Sequence, residues 1–221
     1  YVALGIMRTQ EQLDEWMAKY PNYTINDQEL ELGMIYYEDV RGEEYIDSTT
    51  GKIAYLPPDG KITSDDVTII AKYTSPPYHY GFTLGLSWKG LNINGTFTGV
   101  FGHKVFISKD EQTTPDPSLE EIKNVFSFWS DYWTEENPDA AYPRPYEYGL
   151  AGQNSTFWMR NGHTLQLTTF KLSYNLPAKL SKRIGIPEFR FYFTSRNLWT
   201  IINPFDHKDP SISRGYDYPL M

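Results

Sequence analysis

Four histidines, His79, His103, His163 and His207, stand too far apart to form a short metal-ligand motif. Glu135 and Glu136 are adjacent, whereas a glycosidase needs two carboxylates poised about a scissile bond; carboxylates are plentiful, so spacing selects no acid/base pair. Serine, histidine and aspartate occur without the context of a nucleophile elbow. The absence of cysteine removes thiolate catalysis, disulfides and cysteine-ligated zinc. These residues select no catalytic constellation. The chain's chemistry lies in rings: Phe, Trp and Tyr make up 16% of the residues, and Tyr is the largest share. Trp129, Trp133, Tyr142, Tyr146, Tyr148 and Trp158 gather in or beside one long connecting stretch. They offer either a sugar-stacking surface or the packing of a large loop on itself or on a partner. On the first reading the candidate ligand-binding residues are Trp129, Trp133, Tyr142 and Trp158.

The elements that must carry these residues are bounded by composition. At 221 residues the chain has the size of one domain, and its charge of -8 argues against a nucleic-acid partner. Mean hydropathy is -0.53, and no apolar run approaches the length of a helical membrane span. A β-barrel membrane protein survives this test, because its alternating residues average to a hydrophilic total. The chain opens on Tyr1-Val2-Ala3-Leu4-Gly5 and stops at Tyr218-Pro219-Leu220-Met221, where an apolar segment is about to begin. It is expected to be part of a longer polypeptide.

Residues 9–20 predict a short helix, with Thr9 and Gln12 as a capping box and Leu13, Trp16, Met17 and Tyr20 at helical spacing before Pro21. Residues 21–78 read as mostly irregular. A second helix is expected from Ser118, with Glu121 as capping partner and Leu119, Ile122, Val125, Phe126 and Trp129 as its apolar face.

The strands are the most informative elements. Tyr80, Phe82, Leu84, Leu86 and Trp88 alternate with small or polar residues, which suits a transmembrane strand with a ring at each end. Lys89-Gly90 makes a tight turn, and Leu91, Ile93, Phe97 and Phe101 then share a face opposite Asn92, Asn94, Thr96 and Thr98. A third strand spans 164–176. Leu165 and Leu167 are out of phase with Phe170, Leu172, Tyr174 and Leu176, so a bulge or an emergence from the membrane is expected near Thr168-Thr169. The fourth runs from Glu188, with Phe189, Phe191 and Phe193 on one side and Arg190, Tyr192, Thr194 and Arg196 on the other. Periodicity alone does not separate a barrel from a soluble carbohydrate-binding β-sandwich. Four strands cannot close a barrel, so the first reading places the remaining strands elsewhere.

Four segments, in order, resemble SusC/RagA-type TonB-dependent outer-membrane transporters in their C-terminal part. The first is Gly33-Met34-Ile35-Tyr36-Tyr37-Glu38-Asp39-Val40, continued by Asp59-Gly60-Lys61-Ile62 through Asp65-Asp66 after an insert from Glu43 to Pro58. The second is Pro77-Tyr78-His79-Tyr80-Gly81-Phe82, with Trp88-Lys89-Gly90-Leu91 at the turn. The third joins Ala140-Ala141-Tyr142-Pro143-Arg144 to Ser155-Thr156-Phe157-Trp158 and Leu165-Gln166-Leu167. The fourth is Phe189-Arg190-Phe191-Tyr192 with Arg196-Asn197-Leu198.

The resemblance implies an all-β antiparallel transmembrane barrel segment of about four complete strands, with long extracellular loops carrying short helices. Residues 1–78 and 103–163 would be extracellular loops, 79–102 and 164–200 hairpins, and 201–221 a loop and the start of a last strand. It implies energised import of glycans or peptides through the bacterial outer membrane. The partners would be a SusD-like surface lipoprotein, the rest of the barrel and plug, the TonB complex, outer-membrane lipid and an oligosaccharide or peptide. A docking component of a surface complex is the alternative within the family. Even-numbered residues 80–88 would face lipid; Thr83, Ser87, Arg190 and Arg196 would face the lumen or plug. No cofactor is implied, beyond a candidate structural calcium loop. With the insert removed, Asp39, Asp59 and Asp66 fall at ligand positions and Gly60 at the sharp turn, but Arg41 stands where an Asn ligand belongs. A solvated acidic turn is the competing reading.

Overall fold

The computed structural model describes residues 1–112, 126–145, 150, 153–186 and 188–210. Contacts divide the chain into two units, one built from Tyr1–Lys72 and Phe106–Arg160 and the other from Tyr73–Val105 and the described part of Asn161–Ser213.

The first unit is made of short pieces, because its apolar residues come in runs of at most four between polar residues and turn formers. Its elements are β1 (Ala3–Ile6), α1 (Gln10–Lys19), β2 (Thr24–Ile25), β3 (Gln28–Glu29), β4 (Ile35–Tyr37), β5 (Glu44–Ile46), β6 (Ile53–Tyr55) and β7 (Lys61–Ile62). β1 pairs with β4, β2 lies between β3 and β7, and β5 forms a hairpin with β6. Residues 21–78 are thus less irregular than expected; strands of two or three residues are too short for alternation to register. The insert between Glu43 and Pro58 is the β5–β6 hairpin. Thr9 caps α1 by accepting from the Gln12 N–H. The reciprocal half of the box differs, since the Gln12 side chain accepts from the Arg8 N–H at 3.1 Å. Tyr23, Ile25, Met34, Ile35 and Ile62 are buried at the centre of this half. The Tyr23 hydroxyl donates to the Tyr37 carbonyl at 2.7 Å and accepts from the Tyr37 N–H at 2.8 Å, and burial pushes its pKa far above the usual range.

The second unit begins with β8 (Tyr78–Trp88) and β9 (Leu91–Phe101). Lys89 and Gly90 join them with φ of 46° and 90°, the two positive values of a type I′ turn, whose twist matches that of the strands. The chain then runs through β10 (Lys104–Phe106), α2 (Lys109–Gln112), a 3-10 turn at Ser127–Ser130 and β11 (Met159–Asn161). It returns as β12 (Thr164–Asn175), α3 (Ala178–Arg183) and β13 (Arg190–Ile202). Together β13, β12, β9 and β8, in that order, form one antiparallel sheet. The four strands expected from alternation are therefore present within a residue or two of their predicted limits. The connection between the last two, rich in Lys and Arg, carries the small helix α3.

The expected bulge is also present. Leu167 pairs with Phe97 and Thr169 with the adjacent Thr96, so Thr168 is one residue too many on β12. Its hydroxyl donates to the Thr96 carbonyl at 3.0 Å. The extra residue returns Leu165 and Leu167 to the face that holds Phe170 and Leu172. Against β13 the compensation lies on the other strand: Leu167 pairs with Trp199 and Thr169 with Arg196, and Asn197 between them takes a φ of 49°. Residues 118–125 of the second expected helix, Tyr146, Tyr148 and the approach to a last strand at 211–221 lie outside the described residues. Phe126 and Trp129, from the end of that expected helix, belong instead to the 3-10 turn and its cap.

Candidate functional site

Cross-strand pairing sorts the sheet into two chemically different faces. One carries Tyr80, Phe82, Leu84, Leu86 and Trp88, opposite Gly99, Phe97, Gly95, Ile93 and Leu91. Leu172, Tyr174, Phe191 and Phe193 continue it through the next two strands. The Phe82 and Phe97 rings stack with centroids 4.8 Å apart. The other face is polar: Thr83 and Thr96 hydroxyls lie 3.1 Å apart, Ser87 donates to Asn92 at 2.7 Å, and Arg190 Nε donates to Asn175 at 2.6 Å. Arg196 pairs with Thr169 on the same side. Among the described residues nothing covers the apolar face: Leu84 and Leu86 are each 61% exposed and Trp88 is 63% exposed. A water-soluble sheet would bury such a face beneath a second layer.

One end of the sheet is locked by a residue pair that alternation does not reveal. Tyr80 lies across Gly99, where any Cβ would collide with its ring and with the Thr164 carbonyl. The phenol donates to the Thr164 carbonyl at 2.9 Å, which leaves it to accept from His163 Nε2, also at 2.9 Å. His103 is buried nearby, with its ring where a Gly162 side chain would otherwise stand. Burial, and secondarily His79, hold the His103 pKa below its ordinary value. Histidines scattered in sequence thus meet at one end of the unit. A glycine directly opposite a strand tyrosine was the available signal. Among the described residues, no three His, Asp or Glu side chains are grouped to hold a metal.

In the first unit, Trp129, Trp133 and Trp158 are buried. Trp129 and Trp158 lie 6.0 Å apart, and Tyr142 stacks on Trp158 at 6.0 Å. Two of the indole N–H groups are satisfied internally, Trp129 by the Glu111 carbonyl at 2.9 Å and Trp133 by that of Arg8 at 3.1 Å. Of the four candidate ligand-binding rings, only Tyr142 is as much as half-buried rather than buried.

The acidic loop is organised by backbone donors and one arginine. Asp66 Oδ1 accepts from the Val40 and Arg41 N–H groups at 2.9 and 3.3 Å, and Oδ2 accepts from Thr63 at 2.9 Å. Arg41 donates to the carbonyls of Asp65 and Val67, while its guanidinium carbon lies 3.9 Å from the Tyr55 ring centroid. Asp39 Oδ2 accepts from the Gly60 N–H at 2.5 Å. Its Oδ1 is buried without a hydrogen-bond partner among the described residues. Burial, and then the Asp66 and Asp59 charges, raise the Asp39 pKa against the opposing Gly60 bond. Asp66 is taken up by three N–H donors and the Arg41 guanidinium holds the nearby carbonyls, so few of the oxygens that a calcium ion would need converge freely here.

The chain is 27% identical over 224 residues to TonB-dependent receptor P26 of Formosa agariphila, an alignment covering 96% of this chain and 19% of that protein. It also resembles the structure of the RagAB peptide importer in the 'open-open' state, with a TM-score of 0.50 and 28% identity over 77% of this chain and 19% of that one. The chain thus spans about a fifth of the length of these relatives. No family model matches it. The motif resemblance to SusC/RagA-type TonB-dependent transporters is supported by both matches over most of the chain. These relatives are a receptor and a transporter, not enzymes.

Proposed function

We propose that this chain, a relative of SusC/RagA-type TonB-dependent receptors, supplies part of the wall and outer loops of a β-barrel that imports nutrients across the bacterial outer membrane. The observation that carries the reading is the four-stranded sheet with one uncovered apolar face and one polar face. Lipid is the solvent that stabilises the first, and a wet lumen or plug suits the second. Arg190 and Arg196 then face the lumen. Tyr80, Trp88 and Phe191 belong to the lipid side and its aromatic margins. Import is conformational work driven through TonB, with no bond of the cargo cleaved.

The cargo is an oligosaccharide or a peptide, received with a SusD-like lipoprotein at the barrel mouth. The RagAB relative is a peptide importer, which favours a peptide. Trp129, Trp133 and Trp158 serve as the core of an extracellular loop unit, and Tyr142 is the ring best placed to offer an edge to a ligand. The test is fractionation of cells making the full-length receptor with an epitope in the β5–β6 hairpin. The chain is expected in the outer membrane, released by detergent and not by salt or carbonate. Recovery as a folded monomer without detergent would sink the proposal.

A further inference from the structure

Beside the C-terminal end of α1 lies a cavity of about 430 Å³ that neither the sheet nor the aromatic stack accounts for. Its walls include Trp16, Tyr20 and Tyr23, and its acidic lining is Glu38, Asp39 and Asp59. Trp16 packs 4.6 Å from Tyr20 and edge-on to Tyr23 at 5.5 Å, so the aromatic wall is braced before any ligand arrives. The volume is within the range of small-ligand sites.

We infer that this cavity binds a cationic side chain, the lysine or arginine of a peptide. Three features of its chemistry agree. The lining holds three carboxylates against one ammonium, that of Lys19. The last turn of the ten-residue helix α1 and its cap line the cavity through Trp16, Lys19 and Tyr20, and a helix C-terminus favours positive charge. Tyr20 already holds a cation: Lys19 Nζ lies 5.1 Å from its ring centroid, a cation–π contact from the chain itself. Asp39 adds to the negative field at the cavity wall, where its carboxylate stands close to those of Asp66 and Asp59. A neutral sugar would leave that excess negative charge uncompensated.

The inference rests on the import reading only for the peptide's source, since binding at the cavity requires no passage across a membrane. The experiment is calorimetric titration of the full-length receptor in detergent with Gly-Lys-Gly, Gly-norleucine-Gly, Gly-Glu-Gly and maltotriose. Gly-Lys-Gly is expected to bind about tenfold or more tightly than its norleucine analogue, a margin of about 1.4 kcal/mol, with Gly-Glu-Gly weakest. The double variant Glu38→Gln, Asp59→Asn is expected to remove that margin with the circular dichroism spectrum unchanged. Both side chains are exposed, and Asn keeps an oxygen for the bond Asp59 accepts from the Lys61 N–H at 2.9 Å. Equal affinity for the lysine and norleucine peptides, lysine binding indifferent to the double variant, or maltotriose as the tightest ligand would each overturn the assignment. Any of these results would leave an outer-membrane location intact, and a soluble chain that still preferred lysine would sink the import reading alone.

Discussion

Placing arginine at successive positions along β8 measures which face meets lipid and how deep each residue sits. The strand has eleven residues. At about 3.3 Å per residue and a tilt of about 45°, it rises roughly 25 Å, the height of a barrel's apolar band. Leu84, the seventh residue, is next to the midpoint. It faces Gly95 across the ladder and borders a shallow apolar hollow with Leu86, Ile93, Phe97, Leu167 and Phe170. A guanidinium there meets no lining carboxylate. Leu84→Arg is expected to cost about 2–4 kcal/mol, roughly a thirtyfold to thousandfold loss in the folding equilibrium. Trp88→Arg, at the strand end, should cost about 0–1 kcal/mol in depth-dependent charge burial, aside from lost ring packing. Thr83→Arg lies on the polar face and gives up only the exposed contact with Thr96, about 0.5–1.5 kcal/mol. The assay is reversible denaturant unfolding of the full-length receptor in lipid vesicles, followed by tryptophan fluorescence. Equal losses for Thr83→Arg and Leu84→Arg would refute the assignment of faces; equal losses for Leu84→Arg and Trp88→Arg would refute the depth.

Three further perturbations test local arguments. Gly99→Ala should destabilise the sheet by about 1–3 kcal/mol through overpacking, and adding Tyr80→Ala should not restore it, because the Thr164 carbonyl still blocks the new Cβ; full rescue in denaturant unfolding would contradict the geometry. Asp39→Asn should stabilise the first unit by about 1 kcal/mol at neutral pH, since Asn keeps an acceptor for Gly60 and removes a crowded charge. The folded pKa of Asp39 is raised, so the wild-type penalty is complete above that pKa and fades as pH falls through it toward the ordinary 3.8; a thermal-shift gain that grew on acidification would reverse the sign. Trp129→Ala should cost about 3–5 kcal/mol by opening the aromatic stack, read as earlier proteolysis of the 126–160 region; unchanged protection would show that the stack is not a core.

What the sequence made legible depended on element length. Nine residues of strict alternation, Tyr80 to Trp88, identified β8 and its apolar face, and the phase break between Leu167 and Phe170 located the Thr168 bulge. Strands of two or three residues in the first unit carried no such signal, because their pairing is set by tertiary contacts such as the Tyr23–Tyr37 bonds. The candidate rings were found by type, yet type does not tell a platform from a core; only burial and indole bonding separated them. The cavity at the end of α1 gathers residues from Leu4 to Gly60, and no local spacing links Trp16 to Asp59.

The β5–β6 hairpin is zipped at its own base. Gly42 N–H donates to the Leu56 carbonyl at 2.9 Å and Leu56 N–H returns a bond to Glu43 at 3.0 Å. To the Asp39–Asp66 loop, everything beyond those two bonds is a detour whose ends are already joined. Lengthening the tip at Thr49–Gly51 therefore adds little loop-closure entropy to the surrounding loop, only about 0.6 kcal/mol for each doubling. The hairpin is a socket: new segments can be tried at its tip while the residues around it hold their places.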